Sequence, residues 1–275
     1  MSAQERFSQI VAAVRLQQFQ RAAEMTRKAL QEDASIAAEG RNITLAHFLS
    51  LGADWPFISR LLPPRTNMFE TTGWLNSLYS GRPVNETGQP IPWYTYPAID
   101  FLEPRISPDW RVFEWGSGNS TLWWAQRVTS VHAVESDPNW YQEIKKNQSE
   151  NVIIELKTDE ESYTQVIKNS PFGPFDVIVI DGAYRVSCAR VAIECINPGG
   201  IIIYDNSDSK LQTEGVQFLG DQGWDRIDFF GLIPSYLYKN CTSIFFRDNS
   251  FLKRAPVPNQ MTLSAGVSCF QAMGN

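Results

Sequence analysis

The segment VFEWGSGNSTLWWA, residues 112–125, joins a short apolar run to a glycine turn and then to a stretch with a helical pattern. Strand–turn–helix units of this kind form the ligand-binding loops of open α/β sheets. Glu114 stands where the apolar run meets the turn, and Gly116 and Gly118 form the turn itself. Because a carboxylate at this place would repel a phosphate group, the segment predicts a binding loop for a ligand that carries no phosphate there.

From residue 111 onward, apolar runs alternate with helical patterns. Strands are predicted at 111–115, 130–135, 151–157, 175–181 and 199–206, and helices at 119–128, 137–147, 160–169, 185–196 and near 209–220. This alternation favours parallel strands with helices on both faces. The last two strands, 224–233 and 242–248, have no helix between them and are predicted to form an antiparallel hairpin at the edge. The predicted fold class is therefore α/β, a doubly wound, mostly parallel seven-stranded sheet.

The remaining chain is predicted to flank this region, which we assign to 106–250. Residues 1–105 are predicted to form an N-terminal extension, helical over 1–50 and irregular over 53–105, where prolines, glycines and aromatic residues recur. We expect this extension to cover a ligand and to shape the pocket of a second substrate. Residues 251–275 form a C-terminal tail.

Composition excludes several classes of partner. The net charge of −6 and the pI near 5.1 give no support for nucleic acid or an acidic membrane as a partner. No apolar run reaches the roughly eighteen residues of a membrane helix, and the N-terminus lacks the pattern of a signal peptide, so a cytoplasmic protein is expected. The four cysteines show no zinc-ligand spacing and are expected to be free thiols. Nothing in the sequence predicts the oligomeric state.

The ends of the predicted parallel strands are acidic. Four of the five deliver a carboxylate to the same edge of the sheet: Glu114, Glu135, Asp181 and Asp205. A nicotinamide dinucleotide needs the opposite charge around its pyrophosphate, and its G-x-G-x-x-G fingerprint is broken here by Thr121. The ligand is predicted to keep a ribose, held through both hydroxyls by Glu135, and to carry positive charge opposite Glu114. S-adenosylmethionine has these properties.

These residues resemble the class I S-adenosylmethionine-dependent methyltransferases over about residues 111–248. The resemblance rests on the E-x-G-x-G loop, on Glu135, on Asp181 in FDVIVIDG, and on the segment NPGGIIIYDN, while Ser120 stands where many members have a third glycine. It implies cofactor contacts from Glu114, Gly116, Ser117, Gly118, Asn119, Ser120, Glu135, Ser136, Asp159 and Asp181. Asn119 and Ser120 are expected at the methionine carboxylate, and Ser136 and Asp159 at the adenine.

The tyrosines of PIPWYTYPAID come directly before the first strand. Tyr94 and Tyr96 are placed to reach the sulfonium or the acceptor, since aromatic faces attract such cations. The alternative is that both pack in the core. Tyr96 is included among the predicted cofactor contacts.

Methyl transfer needs a group that positions the nucleophile and takes its proton. Asp181 is the predicted base or positioning group. Arg185 either binds a carboxylate or phosphate on the acceptor or pairs with Asp181 or Asp205. His47 and His132 are expected to be structural.

A divalent cation is an open alternative. Asp181, Asp205 and Asn206 resemble the three metal ligands of cation-dependent O-methyltransferases of the catechol and caffeoyl types, and their oxygen atoms would suit magnesium. The same residues are also ordinary turn formers after a strand. Both a magnesium site and a metal-free site therefore stay open.

The predicted function is O-methylation of a small-molecule or glycan acceptor with S-adenosylmethionine. Two alternatives keep the same sheet: an aminopropyltransferase using the decarboxylated cofactor, and a non-catalytic S-adenosylmethionine-binding protein. A nicotinamide-dependent oxidoreductase is disfavoured by Thr121 and Glu114.

Overall fold

The computed structural model describes residues 68–253, 255–258 and Gly266, together with Gln9, Arg21, Glu24, Met25 and Lys28. Most of residues 1–50, which are predicted to be helical, and most of the predicted tail 251–275 lie outside the described residues. In the described part, no helix combines the length and apolarity that crossing a membrane requires.

The strands and helices follow the predicted alternation. The strands are Arg111–Trp115 (β1), Ser130–Glu135 (β2), Val152–Leu156 (β3), Phe175–Ile180 (β4), Ile196–Asp205 (β5), Asp225–Leu232 (β6) and Lys239–Phe246 (β7). The helices are Met68–Thr71 (α1), Trp74–Ser80 (α2), Tyr96–Leu102 (α3), Asn119–Ala125 (α4), Pro138–Lys145 (α5), Glu160–Gln165 (α6), Arg185–Cys195 (α7) and Thr213–Asp221 (α8). Short 3-10 turns occupy Glu103–Arg105, Val166–Asn169, Lys210–Gln212 and Asn249–Lys253.

The seven strands form one sheet in the order β3-β2-β1-β4-β5-β7-β6. Strands β1 to β5 pair in parallel, and β7 lies antiparallel between β5 and β6. The predicted doubly wound sheet with a closing antiparallel hairpin is thus confirmed. The strand order reverses between β1 and β4, the switch point at which open α/β sheets bind ligands.

The core lies on both faces of the central strands. Phe113 and Trp115 of β1 lie on one face and Val177 and Val179 of β4 on the other, and all four are fully buried, because helices cover a parallel sheet on each side. The Trp115 indole donates its N–H to the Tyr163 carbonyl oxygen at 3.0 Å, which satisfies its one polar group inside the core. β1 and β4 are therefore central strands of the core, and their carboxyl ends flank the switch point.

The chain divides into two compact units, and the whole sheet belongs to the larger one, residues 90–233 and 238–265. Residues 90–105, predicted as part of the extension, belong to this unit. Their helix α3 packs on β6: the rings of Phe101 and Phe229 lie 4.8 Å apart, and the Thr95 hydroxyl donates to the Phe229 carbonyl.

The smaller unit includes the described residues 68–89, 234–237 and Gly266. The helices here are short, as the density of proline and glycine predicts. Gly73 adopts a left-handed φ of 74°, and a Cβ there would lie 2.1 Å from the Asn85 carbonyl carbon. Only glycine fits this turn, which starts α2.

Candidate functional site

Two loops meet backbone to backbone at the switch point. The loop after β1 contains Gly116, whose φ of 102° favours glycine. A Cβ on Gly116 would lie 3.0 Å from the Asp181 carbonyl oxygen and 3.1 Å from the Gly182 Cα. The glycines therefore let the β1 and β4 loops approach, and this approach brings Glu114 and Asp181 to one place.

A cavity of about 330 Å³ opens between these loops and β2. That volume lies in the range of small-molecule sites, roughly 300–1,000 Å³. Its lining includes three carboxylates and one guanidinium. The lining residues are Glu114, Gly116, Ser117, Ser120, Glu135, Ser136, Trp140, Asp181, Gly182, Ala183 and Arg185.

Glu114 is the most deeply buried acid of the cavity, with 1% of its surface exposed. Burial raises the pKa of its carboxyl group to about 8; the Thr121 and Ser120 hydroxyls act in the opposite direction, and Asp181 raises the pKa further. Its Oε2 atom has no hydrogen-bond partner among the residues that the structure describes. Because an unsatisfied buried carboxylate is costly, this position favours a ligand that brings a positive charge or a donor.

Glu135 is held by four hydrogen bonds. Its Oε2 accepts from the Ser117 backbone N–H (3.1 Å) and hydroxyl (3.0 Å), and its Oε1 accepts from the N–H groups of Ser136 (2.7 Å) and Asp137 (2.9 Å). These bonds join the end of β2 to the loop after β1 that contains Gly116, called the glycine loop below. The carboxylate predicted to bind ribose lies in the cavity and also fixes the shape of its wall.

Arg185, at the start of α7, uses its whole guanidinium inside the protein. Nε donates to the Gly182 carbonyl (2.9 Å), Nη1 to the Asp205 carbonyl (2.5 Å) and Asn206 Oδ1 (3.0 Å), and Nη2 to the Asp181 carbonyl (3.2 Å) and Oδ1 (3.1 Å). A guanidinium has five N–H groups, and these bonds engage all of them. Of the two predicted roles of Arg185, the geometry supports pairing with Asp181.

The three predicted metal ligands do come together, but the Arg185 guanidinium lies among them. Asp181 and Asn206 already give side-chain oxygens to this cation, and Asp205 Oδ1 accepts the Thr242 hydroxyl proton at 2.5 Å. A divalent ion at this place would be repelled by the arginine. The described residues also contain no cluster of three or more His, Cys, Asp or Glu side chains arranged for a metal ion. The donor set does not fit magnesium.

The pKa values of Asp181, in the cavity wall, and of the buried Asp205 next to Arg185 are both raised by their surroundings. Burial raises the pKa of Asp181, and Arg185 opposes that shift. Burial and the nearby Asp181 carboxylate hold the pKa of Asp205 well above its ordinary value. Burial is the main cause of both shifts, and neighbouring carboxylates add to them.

Eight of the predicted site residues line the cavity: Glu114, Gly116, Ser117, Ser120, Glu135, Ser136, Asp181 and Arg185. Four predicted cofactor contacts do not. Gly118 donates its N–H to the Thr121 hydroxyl (3.0 Å), Asn119 is buried at the start of α4, and Tyr96 is buried at the start of α3. Asp159 caps α6, accepting from the Ser162 N–H (2.9 Å) and hydroxyl (2.5 Å). Helix capping accounts for this aspartate.

Three lining residues escaped the sequence reasoning: Trp140, Gly182 and Ala183. Trp140 lies in the first turn of α5, where the Asp137 cap accepts its backbone N–H (2.9 Å), and its indole N–H donates to the Ser117 carbonyl (2.6 Å). The sequence signal that could have predicted this lining residue is an aromatic side chain a few positions after Glu135, the acid that ends β2. Gly182 and Ala183 follow Asp181 directly and share its loop.

Tyr94 lies close to the acids, although it is not part of the cavity wall. Its hydroxyl accepts the Trp124 indole N–H at 3.4 Å, and the side chain is fully buried. Burial raises its pKa well above the ordinary value, and Glu114, Asp181 and Asp205 add to the shift. Core packing is therefore the better-supported of its two predicted roles.

A second cavity of about 520 Å³ adjoins the first on the side of β5 and β7. The two share Gly182 and Arg185 in their walls. The second cavity is lined by Gly182, Arg185, Asn206, Asp208, Ser209, Gln212 and Asn240.

No protein-family model and no curated protein matches the chain. Solved structures that resemble it include precorrin-6y C5,15-methyltransferase of Geobacter metallireducens (15% identical, 55% of this chain and 87% of that chain covered, TM-score 0.44). The O-methyltransferase TomG of Streptomyces achromogenes, in complex with S-adenosylmethionine, is 13% identical (55% and 78% covered, TM-score 0.44). An rRNA methylase of Streptococcus thermophilus is 14% identical (55% and 93% covered, TM-score 0.41).

Proposed function

We propose that this protein is an S-adenosylmethionine-dependent methyltransferase that methylates a hydroxyl oxygen of a small-molecule or glycan acceptor. The observation that carries the proposal is the buried Glu114 carboxyl group, whose Oε2 atom has no hydrogen-bond partner among the described residues. It lies in a cavity that two further carboxylates line. Arg185, the one arginine that the described residues place in the wall, is fully engaged in internal bonds. A cationic ligand stabilises such a site, whereas a phosphate destabilises it.

The residues present fit this cofactor. Glu114 and the backbone at Gly116 would hold the cationic amino-acid end, Glu135 the ribose hydroxyls, and Trp140 with Ser136 the adenine. The Glu135 carboxylate already accepts hydrogen bonds from the protein. A ribose hydroxyl that binds there would replace the hydrogen bond from the Ser117 hydroxyl. When bound, the cofactor supplies an electrophilic methyl group on a positively charged sulfur.

Asp181 is the group placed to handle the proton of the acceptor. Its Oδ1 is held by Arg185 (3.1 Å), while no hydrogen bond to Oδ2 occurs within the described residues. Burial raises the pKa of Asp181, which makes its carboxylate a stronger base than an exposed aspartate. Arg185 is a positioning residue in this scheme, since it fixes the orientation of Asp181 and joins the ends of β4 and β5.

The affinity for S-adenosylmethionine is expected to rise with pH between about 5.5 and 7.5. Because the pKa of Glu114 in the free protein is about 8, its carboxyl is mostly protonated in this range, and a cation binds the ionised form. One proton should therefore be released on binding, and the association constant should increase by about tenfold per pH unit. Calorimetric titrations in buffers of different ionisation enthalpy measure both quantities. An affinity that stays flat or falls over this range contradicts the assignment of Glu114.

Chelation of divalent metal is expected to leave methyl transfer unchanged. The Arg185 guanidinium supplies the positive charge among Asp181, Asp205 and Asn206, so no metal is needed there. The measurement is transfer of a labelled methyl group before and after EDTA treatment, together with titration of Mn²⁺ followed by electron paramagnetic resonance. Loss of activity that Mg²⁺ restores, or one tightly bound Mn²⁺ per chain, would show that a metal displaces the arginine.

A further inference from the structure

Polar side chains line the second cavity. Among the residues that the structure describes, its side chains are three amides, one hydroxyl, one carboxylate and the guanidinium of Arg185, and none is aliphatic or aromatic. Small-molecule sites are ordinarily lined mainly by apolar and aromatic groups. The composition of this wall therefore restricts what can bind in it.

We propose that the second cavity binds the methyl acceptor and that the acceptor is a neutral, hydroxyl-rich small molecule, such as a sugar or a glycoside. This inference rests on the proposed function. Because the two cavities share Gly182 and Arg185, a molecule in the second cavity borders directly on the ligand of the first. Asp181, whose backbone and carboxylate contact Arg185, stands beside this boundary.

An anionic acceptor does not suit this wall. Arg185 is the one cationic side chain that the described residues contribute to it, and all five of its N–H groups already bind acceptors of the protein. A phosphate or carboxylate could gain this cation only by breaking bonds that join β4 to β5. Asp208, whose Oδ1 accepts the Cys241 N–H (3.3 Å), adds a negative charge on the same wall.

Hydroxyl groups match the remaining side chains. An amide offers both donors and an acceptor, and a hydroxyl can use both. The Asn240 side chain makes no hydrogen bond within the described residues, and Gln212 uses its Oε1 for the Tyr204 hydroxyl (3.0 Å), which leaves its NH₂ group for a ligand. Asn206 accepts from Arg185 through Oδ1 and likewise keeps its NH₂ group.

A flat phenol such as catechol lacks a partner here. Phenol rings bind through their faces and edges to apolar or aromatic side chains, and the described residues contribute no such side chain to the wall of the second cavity. In methyl transfer to a sugar hydroxyl, the methyl–sulfur bond of the cofactor breaks and a bond forms between the methyl carbon and the hydroxyl oxygen. The hydroxyl proton goes to the Asp181 carboxylate. The sulfur leaves as a neutral thioether.

The test is a methyl-transfer panel with the full chain and tritium-labelled S-adenosylmethionine. Methyl glycosides of common hexoses, catechol, caffeate and hexose phosphates are offered as acceptors at equal concentration. We expect label in the neutral glycosides and at least tenfold less in the other classes. Binding of unlabelled S-adenosylmethionine is measured on the same preparation by calorimetry.

A variant connects the preference to the cavity. Asn240→Leu keeps the size of the side chain but removes the amide, and it is expected to raise the KM for the glycoside by about tenfold while the Kd for S-adenosylmethionine stays constant. Asn169→Leu, an exposed asparagine before β4 at the opposite end of the sheet, is the matched control and should change neither value.

The possible outcomes separate this inference from the proposed function. Absence of S-adenosylmethionine binding overturns both. Binding with transfer to catechol, caffeate or hexose phosphates, or with no transfer to any neutral glycoside, overturns the acceptor class alone. Transfer to glycosides that Asn240→Leu leaves unchanged overturns the placement of the acceptor in the second cavity.

Discussion

Replacing Glu114 by glutamine is expected to weaken binding of S-adenosylmethionine by about 100-fold while it makes the free protein more stable. Removing one member of a buried charge pair costs about 2–5 kcal/mol of binding energy, and 1.4 kcal/mol corresponds to a factor of ten. Glu114 is 1% exposed, so its pairing with a cation would be little screened by water. Calorimetry gives the change in affinity.

The stability effect of the same variant has a defined pH dependence. The folded-state pKa of Glu114 is raised to about 8, so the folded protein binds this proton more tightly than the unfolded chain does. Stability therefore falls as the pH rises from about 4.5 to 8. Glu114→Gln removes this loss, and its free energy of unfolding should exceed that of the wild type by about 2–4 kcal/mol at pH 8 and by little at pH 5.

The matched control for this variant is Glu194→Gln. Glu194 lies near the end of α7, its side chain is 58% exposed, and it pairs with Lys168. We expect its replacement to leave both the affinity and its pH dependence unchanged. If Glu114→Gln binds the cofactor as tightly as the wild type does, Glu114 does not face the positive charge.

Gly182→Ala is expected to have the largest effect on folding. A Cβ at this position would lie 2.0 Å from the Tyr163 hydroxyl oxygen, 2.6 Å from the Gly116 nitrogen and 2.8 Å from the Trp115 carbonyl carbon. The last two atoms belong to the backbone where β1 meets the glycine loop. The clash would therefore push the loop after β4 away from the loop after β1. Overpacking of this kind costs about 3 kcal/mol. Urea unfolding followed by tryptophan fluorescence measures the loss, and cofactor affinity should fall even where the variant is folded.

Gly220→Ala provides the matched control. Gly220 lies in α8, and a Cβ there meets no atom within 4 Å. Alanine favours a helix over glycine by up to about 1 kcal/mol, so this variant should be slightly more stable than the wild type. Equal stability of the Gly182 and Gly220 variants would contradict the close approach of the two loops.

The fold was largely predictable because its signals are local. The bounds of β1 and β2 match the sequence prediction, since each is a compact, mostly apolar run with a glutamate at or next to its last residue. Two features depend on pairing between distant residues and escaped prediction. β7 lies between β5 and β6, and β5 begins at Ile196 rather than 199, because Ile196 pairs with Phe175 across an irregular register.

The acids of the site were predictable for the same reason. In a parallel sheet, strand ends share one edge, so Glu114, Glu135 and Asp181 meet once their strands are recognised. The position of a long side chain is not local. Pairing of Arg185 with Asp181 or Asp205 was one of two alternatives in the sequence, and only the structure shows that its guanidinium lies among Asp181, Asp205 and Asn206.

A parallel calorimetric titration of the wild-type protein at pH 7.5 with S-adenosylmethionine and with NADP tests the central claim most directly. The claim is that an acidic, buried switch-point cavity selects a cationic nucleoside over a phosphorylated one. We predict saturable binding of one S-adenosylmethionine per chain and no measurable heat from NADP. Binding of NADP in that cavity, with none of S-adenosylmethionine, would contradict the account.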